Sequence, residues 1–97
     1  MSILHIVRQS AFSTCDYLQC SQVIQENDTL VLCDDGCYNL SHPLTTLLVT
    51  EKKNLFLKVI ELHAKARGLH ITSSVEPITM ATLVELTLQH DKVITWQ

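Results

Sequence analysis

Four cysteines are the residues whose chemistry stands out in this 97-residue sequence. They form two pairs along the chain, Cys15 with Cys20 and Cys33 with Cys37. A thiolate is both a nucleophile and a metal ligand, so each pair could serve a zinc site or a reactive thiol. A free cysteine can also be an inert part of the core, because it packs like a small hydrophobic side chain.

The spacing of these pairs disfavours a zinc site. Neither pair has the C-x2-C spacing that is typical of structural zinc sites. Cys15 and Cys20 are also expected on one helix, where side chains at positions i and i+5 do not face each other. The chain has only two glycines, Gly36 and Gly68, which excludes a glycine-rich phosphate-binding loop. We therefore expect no metal site and no bound cofactor.

Each cysteine has its own expected environment. Cys33 lies in an apolar run, and for both Cys15 and Cys33 we expect a buried, inert thiol. Cys37 follows the carboxyl end of a strand, where open α/β sheets place their sites, and the sequence favours neither exposure nor burial for it. Cys20 falls on the apolar face of a helix, which is typical of a core or interface position.

The elements that position these cysteines alternate between strands and helices. The expected strands are 2–7, 29–33, 55–60, 69–72 and 92–96. The first expected helix runs from a cap at Ser13 or Thr14 to about residue 25, and a short helix is expected in 37–41. A third helix covers 61–67 and ends at Gly68 in a left-handed conformation. The last helix is capped by Thr79, and its apolar stripe is Met80, Leu83, Val84, Thr87 and Leu88. Residues 44–50 fit a helix or an extended segment. Residues 55–67 also fit one long helix, although a strand followed by a short helix is favoured. This alternation predicts a compact α/β layer domain over residues 1–97, with a mostly parallel sheet flanked by helices.

Composition and charge argue against nucleic acid as a partner and favour other protein chains. The net charge is −3 and the sequence has no basic stripe, so we expect no direct binding of nucleic acid. Apolar residues make up 46% of the chain and charged residues only 18%, which favours coverage of some apolar surface by partner chains. No apolar run is long enough to span a membrane and the N-terminus lacks an export signal, so a cytoplasmic location with reduced thiols is expected.

Several segments, in order along the chain, resemble the TusB/DsrH family. They are Ile3-Leu4-His5-Ile6-Val7 with Ser10-Ala11-Phe12, Asp28-Thr29-Leu30-Val31-Leu32-Cys33-Asp34-Asp35-Gly36, Ala66-Arg67-Gly68-Leu69, and Leu86-Thr87-Leu88-Gln89-His90 followed by Trp96. Two positions depart from the family pattern. Ala11 stands where proline is usual, and Cys37 replaces an aliphatic residue after the Asp-Gly turn.

The resemblance implies a DsrEFH-like fold and a role in sulfur transfer. It implies a heterohexamer with TusC/DsrF-like and TusD/DsrE-like sister subunits, which accepts persulfide sulfur from a small carrier of the TusA type. In the TusBCD type the sulfur goes to 2-thiolation of the wobble uridine in tRNA, and in the DsrEFH type it serves cytoplasmic sulfur oxidation. Cys20 matches a cysteine of DsrH-like members and is the candidate persulfide carrier. The alternative is a non-catalytic scaffold, because the main reactive cysteine of these complexes belongs to the TusD/DsrE-like chain.

Overall fold

A single parallel sheet organises residues 2–97, the part of the chain that the computed structural model describes. Its five strands are β1 (Ile3–Val7), β2 (Thr29–Leu32), β3 (Phe56–Ile60), β4 (Glu76–Ile78) and β5 (Lys92–Trp96), in the order β4-β3-β2-β1-β5. All four strand pairs are parallel. The helices are α1 (Asp16–Val23), α2 (Pro43–Glu51), α3 (Glu61–Ala66) and α4 (Met80–Gln89), and a 3-10 segment occupies Asp34–Ser41. The expected α/β fold is confirmed.

The handedness of the connections explains how the helices are distributed. The chain moves from β1 to β4 in one direction across the sheet, and then returns through α4 to β5 beyond β1. Because parallel crossovers are almost always right-handed, the first three helices lie on one face and α4 lies on the other. The first face therefore has three helices and a 3-10 segment to cover it, whereas the second face has α4 alone.

Two apolar clusters reflect this division. The larger cluster lies under the first three helices and includes Tyr17, Cys20 and Ile24 of α1 together with Leu30 and Leu32 of β2. The smaller cluster lies under α4, and its buried members are Leu4, Val31, Cys33, Ile60, Ile78 and Leu83. Of the apolar stripe expected on α4, only Leu83 is buried, because the helix is covered on one side only.

The helix predictions hold in the last helix and fail at the start of the first. The Thr79 hydroxyl accepts a hydrogen bond from the Thr82 N–H, as expected of a capping residue. The hydroxyls of Ser13 and Thr14 do not cap α1, because both donate to the Ser10 carbonyl oxygen. The residue at the N-cap of α1 is instead Cys15, whose side chain accepts no capping hydrogen bond.

The expected strand at 69–72 is wrong. The fourth strand of the sheet is Glu76–Ile78, which pairs with the end of β3. Leu69 and Ile71 pack against the larger apolar cluster without joining the sheet. The sequence did not predict this strand because it contains Pro77, and proline is rare in strands. Proline is tolerated here because β4 is an edge strand and needs no N–H on its open side.

Two ambiguous regions are now assigned. Residues 44–50 belong to helix α2, which begins with Pro43 at its first turn. The short helix expected in 37–41 is part of the longer 3-10 segment. Gly68 has a φ of 66° and ends α3 as predicted. Within residues 2–97, no helix is long and apolar enough to cross a membrane.

Candidate functional site

Three of the four thiols are buried. Cys20 in α1 is 0% exposed, and Cys33 and Cys37 at the carboxyl end of β2 are also buried. Burial, and then the nearby Asp28 carboxylate, raises the pKa of the Cys20 thiol to about 12. At neutral pH this group is therefore a thiol and not the thiolate that sulfur exchange needs.

Cys37 is buried in the core, whereas the sequence had favoured neither exposure nor burial. Its Sγ–H donates to the Leu32 carbonyl oxygen at 3.8 Å. Burial raises the pKa of the Cys37 thiol to about 12, against an opposing effect of the Arg67 guanidinium. Burial likewise raises the pKa of Cys33 to about 11, with Asp34 adding to the effect. Cys33 is buried as predicted.

Cys15 is the exception, and its expected burial is wrong. Its thiol is exposed at the N-cap of α1, because the preceding loop brings residue 15 to the surface before the helix turns inward. Cys15 lines a cleft of about 500 Å³. The other residues lining this cleft are Ala11, Thr14, Leu18, His42, Pro43, Leu44 and Leu47. One wall is thus the loop and first turn of α1, and the other is the first half of α2.

Hydrogen bonds of the buried Asn39, Tyr17 and Thr45 side chains tie the two walls of this cleft together. The Asn39 side chain accepts from the Ala11 N–H at 2.7 Å and donates to the Gln9 carbonyl oxygen at 3.1 Å. The Tyr17 hydroxyl lies 2.7 Å from the Thr45 hydroxyl, which in turn donates to the Asn39 carbonyl oxygen. Since Thr45 gives its proton to Asn39, Tyr17 is the donor to Thr45. These bonds join α1, α2 and the 3-10 segment, so the cleft is held in a fixed shape.

His42 contributes an imidazole to the same cleft. Its Nδ1 accepts a hydrogen bond from the Leu44 N–H at 3.0 Å and so caps α2. Because Nδ1 acts as an acceptor, the proton of the neutral ring sits on Nε2. The Phe12 ring packs edge-on against the imidazole, with a centroid separation of 4.8 Å. His42 is thereby oriented from two sides.

A charged cluster occupies the carboxyl edge of the sheet. Arg8, after β1, contacts the Asp34 carboxylate at 2.9 Å and the Gln97 side-chain oxygen at 2.8 Å. Arg67 contacts the Asp35 carboxylate at 3.1 Å. Both guanidiniums are therefore engaged by carboxylates of the Asp-Asp-Gly turn. Neither guanidinium contacts the Cys20 side chain through a hydrogen bond.

Close packing against β1 explains why the Asp-Gly turn has a glycine at position 36. A Cβ atom on Gly36 would lie 2.1 Å from the Val7 carbonyl oxygen. The Gly36 N–H donates to the carbonyl oxygens of Arg8 and Cys33, which locks the turn onto the end of β1. Among residues 2–97, no group of three or more His, Cys, Asp or Glu side chains has a geometry that could hold a metal ion.

Comparisons with known proteins support the fold and the family. The chain resembles the crystal structure of the YchN protein from E. coli with a TM-score of 0.73 and 21% identity, over 99% of this chain and 100% of that one. It also resembles the solution structure of Tm0979 from Thermotoga maritima, with a TM-score of 0.62 and 19% identity, over 92% of this chain and 93% of the other. At such identities these likenesses establish the fold alone.

The comparison of sequences also identifies the family. No curated protein matches the chain. The family model described as DsrH-like protein matches residues 9–93, a span that includes α1, the Asp-Gly turn and α4. The chain therefore belongs to the DsrH-like family, as a subunit of the DsrH/TusB type.

Proposed function

We propose that this chain is a subunit of a heterohexameric sulfur-relay complex, which passes persulfide sulfur toward 2-thiolation of the wobble uridine in tRNA. The observation that carries the proposal is the DsrH-like match over residues 9–93. Its sister subunits are of the TusC/DsrF and TusD/DsrE types, and a small carrier of the TusA type supplies the sulfur. The relay works in the cytoplasm, where thiols stay reduced.

An exposed apolar surface supports the assembly part of this proposal. We define the α4 face as Met80, Val84 and Leu88 on the helix together with Phe56 and Val93 on the sheet beside it, all of which are exposed. Val93 pairs with Leu4, and Phe56 shares the side of β3 that carries Ile60, so both point to the face that α4 covers.

The composition of α4 indicates that a second surface lies against it. The only charged residue among its ten is Glu85, and apolar side chains occur on its outer side as well as its inner side. The polar residues Thr82, Glu85 and Gln89 share one side of the helix, so the exposed apolar residues of the α4 face form a separate side. A contiguous exposed apolar patch marks an interaction surface. The sister subunits are the partners that the family offers, and the α4 face is the surface on which we place them.

Within the complex, Cys20 is the proposed carrier and a scaffold role is the alternative. As a carrier, Cys20 would need α1 to move, because its thiol is fully buried and its pKa is raised. The same burial favours the scaffold role, in which this chain positions the reactive TusD/DsrE-like subunit. The cysteine in the first helix is also the feature that favours the second candidate function, a DsrH-like subunit in cytoplasmic sulfur oxidation.

Transfer of sulfur to tRNA is indirect in this proposal. The chain carries a net charge of −3, and the guanidiniums of Arg8 and Arg67 are paired with carboxylates. A protein that grips nucleic acid needs basic groups free to contact phosphates. A later enzyme, and not this chain, therefore meets the tRNA.

Co-expression with both sister chains tests the proposed function. The expected result is one stable complex that contains all three chains, measured by native mass spectrometry. Deletion of this chain's gene is expected to abolish 2-thiouridine in tRNA, measured by nucleoside mass spectrometry. A chain that ignores both sisters would refute the assembly, whereas normal tRNA thiolation after deletion would shift the function to sulfur oxidation.

A further inference from the structure

The two edges of the sheet differ in what they offer to another strand. At one edge, β4 is three residues long, and its central residue Pro77 has no N–H. At the other edge, β5 has five residues, and within residues 2–97 it pairs with β1 alone. Short length and proline both protect an edge strand from further pairing. The β4 edge is therefore closed to a new strand, whereas the β5 edge is open.

The hydrogen bonds between β5 and β1 show which backbone groups of β5 face outward. Successive residues of a paired strand direct their N–H and C=O groups to opposite sides of it. The Trp96 carbonyl oxygen accepts from the Arg8 N–H, so Trp96 faces β1, and so does Ile94 two residues before it. Val93 and Thr95 therefore direct their N–H and C=O groups away from the sheet. These backbone groups are available to another strand.

We propose that the β5 edge pairs antiparallel with the β5 edge of a second copy of this chain, about a two-fold axis at Ile94. In this register Val93 of each copy lies opposite Thr95 of the other. Residues opposite each other in this way exchange both of their N–H···O=C bonds. Within β5, no other two-fold position pairs both outward residues, and this one satisfies every outward N–H and C=O of the strand.

The side chains that meet in this register are compatible. Val93 and Thr95 point to the side of the sheet that α4 covers, where they form a cross-strand pair of β-branched residues. On the other side, Ile94 meets Ile94 of the second copy, and Lys92 lies opposite Trp96 of the second copy. Lys92 is the one charged residue of β5, so no like charges face each other across the axis.

This contact goes beyond the proposed function and does not rest on it. A two-fold axis between antiparallel edge strands stands perpendicular to the sheet, so the two sheets join into one and both α4 faces lie on the same side of it. The second copy is bound by backbone groups of β5, whereas the α4 face binds through side chains. One chain can therefore hold a second copy and a sister chain together.

Cysteine crosslinking of the full chain tests the register, both alone and in complex with the sister chains. Ile94→Cys, combined with Cys15→Ala to remove the exposed native thiol, places two thiols opposite each other at the axis. Their Cα atoms would lie about 4.5–5.5 Å apart, within the reach of a disulfide. Lys92→Cys in the same background is the control, because its two thiols would lie about 13 Å apart along the strands.

The crosslinking rate decides the outcome. Mild oxidation is expected to give a covalent dimer from Ile94→Cys at least about tenfold faster than from Lys92→Cys, measured on non-reducing gels. A faster rate in either setting sustains the proposal. Equal rates, or no covalent dimer from Ile94→Cys in either setting, overturn it.

A second pair of variants tests the backbone hydrogen bonds. Thr95→Pro removes an outward N–H and leaves the bonds to β1 in place, so the fold should be retained by circular dichroism. Self-association measured by sedimentation equilibrium should weaken at least about tenfold, because each copy loses a donor to the other. Thr95→Val keeps the N–H and the shape, and it should associate like the wild type. Equal association of both variants would contradict the proposal, and if Thr95→Pro does not fold, the crosslinking alone decides.

The outcomes are distinct from those that test the proposed function. A disulfide at Ile94→Cys in a chain that ignores both sister chains would sustain the β5 contact and refute the complex. A stable complex of all three chains with no such disulfide, alone or assembled, would sustain the complex and refute the β5 contact.

Discussion

Nε1 of Trp96 lies 3.2 Å from Nδ1 of His5 and ties the last strand to the first. The indole N–H can only donate, so His5 Nδ1 must accept, and the ring proton sits on Nε2. Nε2–H then donates to the Asp28 carboxylate at 3.1 Å, which also accepts from the N–H groups of Ile3 and Gln25. This buried chain of bonds fixes β1, β5 and the turn before β2.

Loss of the indole donor should weaken this tie. Trp96→Phe keeps an aromatic ring but removes the N–H, and it leaves the buried His5 Nδ1 without a partner. We expect the free energy of unfolding to fall by about 1–3 kcal/mol. Urea denaturation followed by far-UV circular dichroism measures it, since the variant has no tryptophan left. An unchanged midpoint would mean that water replaces the indole.

The two glycines should differ in their tolerance of alanine. Gly36→Ala places a Cβ against the Val7 carbonyl oxygen, which is backbone and cannot move aside, so a loss of about 3 kcal/mol is expected. Gly68→Ala meets no atom within 4 Å but puts alanine at a φ of 66°, which costs about 1 kcal/mol. Thermal unfolding of both variants checks the order, and a more damaging Gly68→Ala would contradict it.

Stability should fall at alkaline pH because of the buried thiols. The pKa values of Cys20 and Cys37 are raised to about 12 in the folded chain, chiefly by burial, while an unfolded thiol ionises near 8.5. The stabilisation is therefore complete below about pH 8 and is lost as the pH rises toward 12. At pH 10 each thiol should cost about 1–2 kcal/mol relative to pH 7.

Denaturant midpoints between pH 7 and 10 measure this loss. Cys20→Ala removes one of the buried thiols, so its free energy of unfolding should fall less steeply with pH than that of the wild type. Cys15→Ala, which removes the exposed thiol, is the matched control and should keep the wild-type slope. Identical slopes in all three proteins would contradict the assignment.

The α4 face should be needed for assembly and not for folding. Leu88 is 83% exposed, so Leu88→Asp should change the free energy of unfolding by no more than about 0.5 kcal/mol. The same change should weaken binding to the sister chains by at least about tenfold, because it buries a carboxylate at an apolar contact. Leu62→Asp is the control, since Leu62 is 73% exposed on α3 at the other side of the sheet.

Analytical ultracentrifugation of reconstituted mixtures gives both answers. Loss of the complex in Leu88→Asp but not in Leu62→Asp places the interface on the α4 face. The reverse pattern would place it on the three-helix side, and equal assembly of both variants would leave the exposed stripe of α4 without its proposed partner.

Much of the fold follows from local patterns in the sequence. The central strands are short, continuous apolar runs, which is typical of strands buried on both faces, and β5 lies at 92–96 as predicted. The edge strand β4 escapes prediction because Pro77 breaks the usual pattern. The buried part of α4 also escapes prediction, since the apolar stripe of this helix is wide and only Leu83 within it is buried.

The site was less predictable than the fold. Burial of Cys20 follows from its place on an apolar helix face, and burial of Cys33 from its place after an apolar strand. Exposure of Cys15 depends on Ser13 and Thr14 bonding to Ser10, which delays the start of α1. Cys15 and His42 line the same cleft because of the contacts of the buried Asn39, which join residues distant in the sequence. Local sequence patterns therefore predict neither the exposure of Cys15 nor its place beside His42.

The role of Cys20 stays a prediction, and Cys37 offers a matched control for it. Both thiols are 0% exposed with pKa values raised to about 12, but only Cys20 is the carrier candidate that the family resemblance implies. Cys20→Ser and Cys37→Ser should each lower the free energy of unfolding by about 1–3 kcal/mol, because each buries a hydroxyl. Their stabilities therefore do not separate the carrier from the scaffold.

Sulfur flux through reconstituted complexes does separate them. If Cys20 carries sulfur, Cys20→Ser assembles normally and loses most of the flux, while Cys37→Ser retains it. Such a result also requires α1 to open inside the complex, since a thiol with a pKa of about 12 in the core holds almost no thiolate at neutral pH. Flux that is equal in both variants and in the wild type would leave Cys20 as a packing residue beneath the cleft, and this subunit as a scaffold at that position.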